Sequence, residues 1–285
     1  MFKRTSGHNS FTLIAALVFG LAVAWSATAA AVEMTFYGNQ HFRFVSNEGK
    51  VILINPWIKG NKDAPFGIDF YKKGEVDLIL ATSGHGDDQG NAVEIAAKTG
   101  ATIFTVAELG SWMQNQIEGF GGSRKQVYRG SIGGRYKVGG VTVQLIQSAH
   151  GSGIAPKEKG FPARYSGGPA SGVLITFEDG LKVLMAGSTG LSMELQLFGM
   201  RYQPHVALIP MAGRFMMHPD DAAFAAKLLM TDNPNLKTVV PQHFRVKSRP
   251  PWMGTPDQFE AEVKKLGLGL NVLKPEVGKA YTLTK

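Results

Sequence analysis

A chain of 285 residues in which 44% of the side chains are apolar and 18% charged can build one large domain around its own core. It contains no cysteine, which excludes disulfides and thiolate metal ligands. The formal charge of +8 suits an acidic substrate or surface, but no dense Lys/Arg run of the kind found in nucleic-acid proteins occurs, so nucleic acid is not an expected partner.

The first residues read as targeting rather than fold. Met1-Phe2-Lys3-Arg4 is basic, Phe11 to Trp25 is almost wholly apolar, and Ser26-Ala27-Thr28-Ala29-Ala30 offers Ala-x-Ala for cleavage after Ala29. The expectation is a signal peptide over 1–29, a periplasmic or secreted product, and one domain over 30–285. The apolar stretch is short for a crossing and no second one follows, so no stable membrane span is expected after cleavage.

Beyond it, short β-type runs alternate with helical segments, which predicts an α/β fold. Met34 to Tyr37 and Val51 to Ile54 read as strands, with Asn47-Glu48-Gly49-Lys50 as the turn of a hairpin between them. Val76 to Thr82 is a buried strand that breaks off into Ser83-Gly84-His85-Gly86-Asp87-Asp88, where the glycines allow a sharp turn and keep bulk away. Ala92 to Lys98 is helical and Ala101 to Phe104 a strand. Thr105-Val106-Ala107-Glu108 is a capping-box pattern opening a helix with Leu109, Trp112, Met113 and Ile117 on one side. A half-buried strand starting at Val141 ends at His150. Asp179-Gly180 joins Gly172–Phe177 to Leu181–Met185 as a hairpin. Val206 to Ile209 and Thr238 to Val240 are short buried strands. His218-Pro219-Asp220-Asp221 starts a helix between them, and Thr255-Pro256-Asp257-Gln258 caps another. Leu270 to Leu273 and Tyr281 to Leu283 close the chain as strands.

His85, His150, Ser188 and His243 each follow the end of an apolar strand, where side chains can leave a sheet and meet at its edge. With Asp87 beside His85, imidazoles and a carboxylate at one place point to a metal ion.

Phe36-Tyr37-Gly38, Ile52-Leu53-Ile54-Asn55-Pro56-Trp57, the Ser83–Asp88 loop, Ser148-Ala149-His150, Ala186-Gly187-Ser188-Thr189-Gly190, Pro210-Met211-Ala212-Gly213 and Pro241-Gln242-His243-Phe244 follow one another in a familiar order. On these blocks the sequence resembles the metallo-β-lactamase-fold hydrolases, in the branch related to the ascorbate-6-phosphate lactonases. The resemblance implies a four-layer αββα sandwich, with the site at one edge of its two sheets. It also implies a His-x-His-x-Asp-His loop, a later histidine, a bridging aspartate and a final histidine. Here Ser83 stands for the first histidine, His85 for the second, Asp87 is in place, Asp88 replaces the last histidine of the loop, His150 and His243 match the later ones, and Ser188 holds the bridging position. Asn39 and Asn55 stand where a histidine and an aspartate are usual in the branch.

The metal ligands expected from this pattern are a subset of His85, Asp87, Asp88, His150 and His243, with Ser83 and Ser188 as substituted ligand positions. Ser83 weakens the first ion's site, Asp87, Asp88 and His243 would form the second, and loss of the bridge at Ser188 favours one divalent ion over a coupled pair. Zinc is the leading candidate, with manganese or iron as others. The expected activity is hydrolysis of an ester, lactone or phosphoester through metal-activated water, with Asp87 orienting or deprotonating that water. The alternative is a degenerate relative serving as a periplasmic binding or interaction module. Basic and aromatic loops around the site suit a small, anionic, partly apolar substrate held by Arg164, Arg214 and Arg245. Oligomeric state is not readable from the sequence.

Overall fold

The computed structural model of the chain describes residues 1, 31–155 and 165–285. The signal peptide expected over 1–29, Met1 apart, and Arg164 lie outside the described residues.

β1 (Val32–Phe36), β2 (Phe42–Val45) and β3 (Val51–Ile54) form an antiparallel meander. β4 (Leu78–Leu80), β5 (Thr102–Val106) and β6 (Val127–Gly130) extend it in parallel. Parallel neighbours need crossovers, which are made by α1 (Gly86–Gln89) and α2 (Ala92–Thr99) after β4 and by α3 (Ala107–Ile117) after β5. The second sheet repeats the plan. β7 (Arg135–Val138), β8 (Val141–Gln147), β11 (Ser171–Thr176) and β12 (Lys182–Met185) are antiparallel, with β9 (Gly153–Ile154) and β10 (Tyr165–Ser166) as a separate ribbon between β8 and β11. β13 (Val206–Pro210), β14 (Thr238–Gln242) and β15 (Asn271–Val272) follow in parallel, linked by α4 (Glu194–Tyr202), α5 (Pro219–Leu229) and α6 (Pro256–Lys265). β16 (Ala280–Leu283) returns to pair with β1.

The two sheets face each other: Phe44 of β2 meets Phe177 at 6.1 Å between ring centroids, and Phe104 of β5 meets Tyr136 of β7 at 5.6 Å. α2 and α3 cover β5, while α4, α5 and α6 pack side by side with α5 on β13. The result is the four-layer αββα sandwich. Strands buried on both faces must be apolar throughout, as β4 (Leu-Ile-Leu) and β13 (Val-Ala-Leu-Ile-Pro) are. In α5, Pro219 opens the helix where its missing N–H is not needed, and Ala222, Ala223, Ala225 and Ala226 bring it close to its neighbours. None of the described helices is long and apolar enough to cross a membrane.

Three local expectations are corrected. The turn at 46–50 joins β2 to β3, because Phe42–Val45 is a strand in its own right whose alternation is too short to stand out. Thr105 is the penultimate residue of β5 and donates its hydroxyl to Ala81 O at 2.8 Å, so α3 starts after Val106 with no side-chain cap. Neither Gly84 nor Gly86 has a positive φ. Gly84 serves close approach instead, since a Cβ there would lie 2.6 Å from Ile154 Cγ1 and 2.8 Å from Ser152 O, whereas Gly86 faces open space.

Candidate metal centre and pocket

Residues after β4, β8, β12 and β14 emerge at one edge of the sandwich, the place where an open α/β sheet presents loops to a ligand. His85, Asp87, Asp88, His150, Ser83, Ser188 and His243 gather there. Their contacts divide them into two groups.

The first group surrounds Asp88, which is fully buried in α1. Its Oδ1 accepts hydrogen bonds from Gln40 Nε2 and, at 2.9 Å, from Ser188 Oγ, with Asn55 Nδ2 and Thr82 Oγ1 further off at 3.4 Å. Its Oδ2 accepts one from Ser83 Oγ and lies 3.8 Å from His85 Nδ1. Ser83, Asp88 and Ser188, the three departures from the family's ligand pattern, are therefore one hydrogen-bonded unit. Burying a carboxylate is costly unless it is well solvated by the protein, and these neutral donors supply that solvation. Oδ2 is the carboxylate oxygen on the His85 side.

His85 Nδ1 and His150 Nε2 are 3.2 Å apart, with the rings at 88°. That separation is close to the edge of a tetrahedron around a zinc ion with bonds of about 2.0 Å, roughly 3.3 Å. One ligand atom from each of His85, Asp88 and His150 lies within 4.8 Å of the others. Burial pushes the His150 imidazole below its usual 6.5; Asp88 opposes this and His85 reinforces it. A neutral imidazole is the form that ligates a cation. The donor set thus fits a single divalent ion.

The second group is Asp87, His243 and Asn39. Asp87 Oδ2 accepts a hydrogen bond from Asn39 Nδ2 at 3.2 Å and sits 3.6 Å from His243 Nε2. Backbone bonds hold the pair in place: His243 N donates to Asn39 O at 2.7 Å and Asn39 N to Phe244 O at 3.1 Å. Both Asn39 and His243 have left-handed backbones, at φ 59° and 64°. The contacts thus pair Asp88 with His85, whereas the sequence reading grouped it with Asp87 and His243.

A cavity of about 460 Å³ opens over both groups. Its polar floor is Asn39, His85, Asp87, His150 and His243, and its wall is Phe215, Met216, Trp252, Met253 and Arg245. Arg245 lies over the Trp57 ring at 5.7 Å. Arg214 is not part of the wall; its guanidinium stacks on Phe215 at 5.0 Å and Trp252 at 5.6 Å. His41 takes no part: fully buried, it bonds Tyr71 Oη through Nε2 at 3.2 Å, and burial lowers its pKa to about 3. Sequence reasoning missed Gln40 and Thr82, whose side chains reach Asp88, and the wall residues Phe215, Met216 and Met253.

The beta-lactamase superfamily domain matches residues 33–243. A UPF0173 metal-dependent hydrolase of Methanopyrus kandleri is 35% identical over 250 residues, covering 88% of this chain and 99% of its own. One from Myxococcus xanthus is 33% identical over 294 residues, covering 95% and 99%. Among solved structures, Igni18, a metallo hydrolase from Ignicoccus hospitalis, superposes with a TM-score of 0.72 at 30% identity, covering 90% of this chain and 100% of that one. The chain therefore belongs to the beta-lactamase superfamily and is a metal-dependent hydrolase of the metallo-β-lactamase fold.

Proposed function

We propose that this hydrolase works with one divalent cation held by His85, His150 and Asp88, and cleaves an ester, lactone or phosphoester of a small, anionic, partly apolar molecule. The observation that carries the reading is that one ligand atom from each of His85, His150 and Asp88 lies within 4.8 Å of the others, with both imidazoles lining a cavity. Two imidazoles and one carboxylate suit zinc, and also manganese or iron. When bound, such an ion lowers the pKa of a coordinated water toward about 7 and polarises the scissile oxygen.

The protein's own residues do the rest. Asp87 lines the cavity and is held by Asn39, so its free oxygen can orient the attacking water or accept its proton. His243, 3.6 Å away, can share that proton. Arg245 in the wall supports recognition of an anionic group, and Phe215, Met216, Trp252 and Met253 support binding of an apolar body. Arg164 is retained as a second anion contact on the loop sequence alone, and Arg214 as one that would have to leave its stacking partners. The basic, apolar and Ala-x-Ala segments of residues 1–29 support export to the periplasm or beyond.

The test is metal analysis of the purified chain after dialysis, with hydrolysis assays on an ester, lactone and phosphodiester panel with and without added Zn²⁺ or Mn²⁺. The expected result is one ion per chain and turnover of at least one class, both lost in His85→Ala. A chain that takes up no metal and turns nothing over under any of these conditions overturns the reading, and ligand-induced thermal stabilisation without turnover would identify a binding module.

A further inference from the structure

One side of the cavity is carried by two loops, 213–217 after β13 and 244–254 after β14; their own composition is one-sided, although Asp220, Asp221 and Glu262 share a neighbouring groove with Arg249 and Trp252. The two loops contain Arg214, Arg245, Lys247 and Arg249 and not one carboxylate. None of these four cations forms an ion pair among the described residues. Between them stand three exposed apolar side chains: Phe215 is 59% exposed, Val246 54% and Trp252 38%. They are held out rather than left loose. Phe215 and Trp252 pack edge to face at 5.8 Å with Arg214 over both rings, and the fully buried Asp63 accepts the backbone N–H groups of Val246 and Lys247, at 2.7 Å each.

We propose that this rim docks the protein on an anionic lipid bilayer, with the cavity mouth against the membrane surface. Phe and Trp rings and a valine tip gain from entering the headgroup layer, and neighbouring Lys and Arg gain from anionic headgroups around them. Both terms act on the same surface only when apolar tips and cations are interleaved, as they are here. A second copy of the chain would bring like charges face to face. Nucleic acid would gain from the cations but less from the tips, because Val246 has no face on which a base can stack and Arg214 already occupies one face of each ring. The docking surface rests on the loops alone and does not depend on the metal reading.

The full chain is floated with vesicles of phosphatidylcholine alone and of phosphatidylcholine with phosphatidylglycerol, and its tryptophan fluorescence is followed with brominated lipid. Binding is expected to favour the anionic vesicles by about tenfold or more, and to fall by a similar factor in a Val246→Asp/Lys247→Glu variant. Neither substituted residue lines the cavity, so cobalt uptake by that variant is expected to match the parent. Quenching by brominated lipid is expected to drop in Trp252→Phe. Equal binding to neutral and anionic vesicles overturns the proposal. So does quenching that Trp252→Phe leaves unchanged, which would assign lipid contact to another tryptophan such as Trp25. A chain that ignores both vesicles and is retained by duplex DNA overturns it in favour of nucleic acid.

Discussion

Ser188 Oγ donates a hydrogen bond to Asp88 Oδ1 across 2.9 Å. The family pattern puts a carboxylate at the first of these positions and an imidazole at the second, so a carboxylate is kept in the cluster but reaches it from the other side. It now lies with His85 and His150, and the aspartate that bridges two ions in the family pattern is replaced by a serine. One ion per chain is the expected stoichiometry, measured by metal analysis after dialysis against Co²⁺ or Zn²⁺. Restoring the family residues in the double variant Asp88→His/Ser188→Asp is expected to raise it to two. A parent that already binds two would show that Asp87 and His243 hold an ion without help.

Asp88 is also the acceptor that organises its surroundings. Replacing it with alanine strands Gln40, Ser83 and Ser188, all buried, without their shared partner. Leaving buried donors unpaired is more costly than the hydrogen bonds were worth, and the expected loss is about 3 kcal/mol in urea unfolding of the metal-free chain. Asp88→Asn, which keeps one acceptor oxygen, should lose less. Asp88→Ala as stable as the parent would mean that the buried charge costs as much as its hydrogen bonds return.

The sandwich and its edge could be read in the sequence because β4, β12 and β14 are mainly apolar runs and β8 an alternating one, all followed by polar residues, and that contrast survives without any tertiary information. The gathering of His85, His150 and His243 at one edge was readable for the same reason. Which carboxylate faces which histidine was not. Asp87 and Asp88 are adjacent on a four-residue helix, so their side chains diverge by the helical rotation, and the sequence does not say which one points inward. Gln40 could not be found either: its amide matters only because the loop between β1 and β2 passes beside α1. The corrected capping box follows the same logic. Thr105 has the right neighbours for a cap, but its hydroxyl is taken by a strand carbonyl.

His41 offers a test of burial by pH. Desolvation lowers its pKa from 6.5 to about 3, so the folded chain stays neutral there while the unfolded chain takes up a proton below about 6.5. Between those values the unfolded state binds one more proton, and stability falls as pH drops, by up to about 1.4 kcal/mol per pH unit. Above 6.5 the contribution is flat. His41→Phe should give a shallower acid limb than the parent in urea unfolding from pH 7 to pH 4, by about one proton of slope. Parallel limbs would place the imidazole in contact with solvent.

Asp63 links the core to the loop that carries Arg245, Trp252 and Met253. Its two oxygens each accept a backbone N–H, from Val246 and Lys247, both at 2.7 Å. The same loop is braced at only a few other points, among them Arg245 N to Met253 Sδ at 3.2 Å and Arg249 Nη1 to Met253 O at 2.9 Å. Hydrogen bonds to a buried carboxylate are stronger than neutral ones, so Asp63→Ala is expected to cost about 3 kcal/mol and to free the loop. The proposed cation ligands His85, Asp88 and His150 lie on other segments, so metal content should not change. Loosening the wall while sparing the floor predicts a Michaelis constant raised several-fold with kcat nearly kept, because what is lost is binding that substrate and transition state share. A drop in kcat at unchanged KM would instead place this loop's influence on Asp87 or His243, through the backbone bonds that join Phe244 and His243 to Asn39.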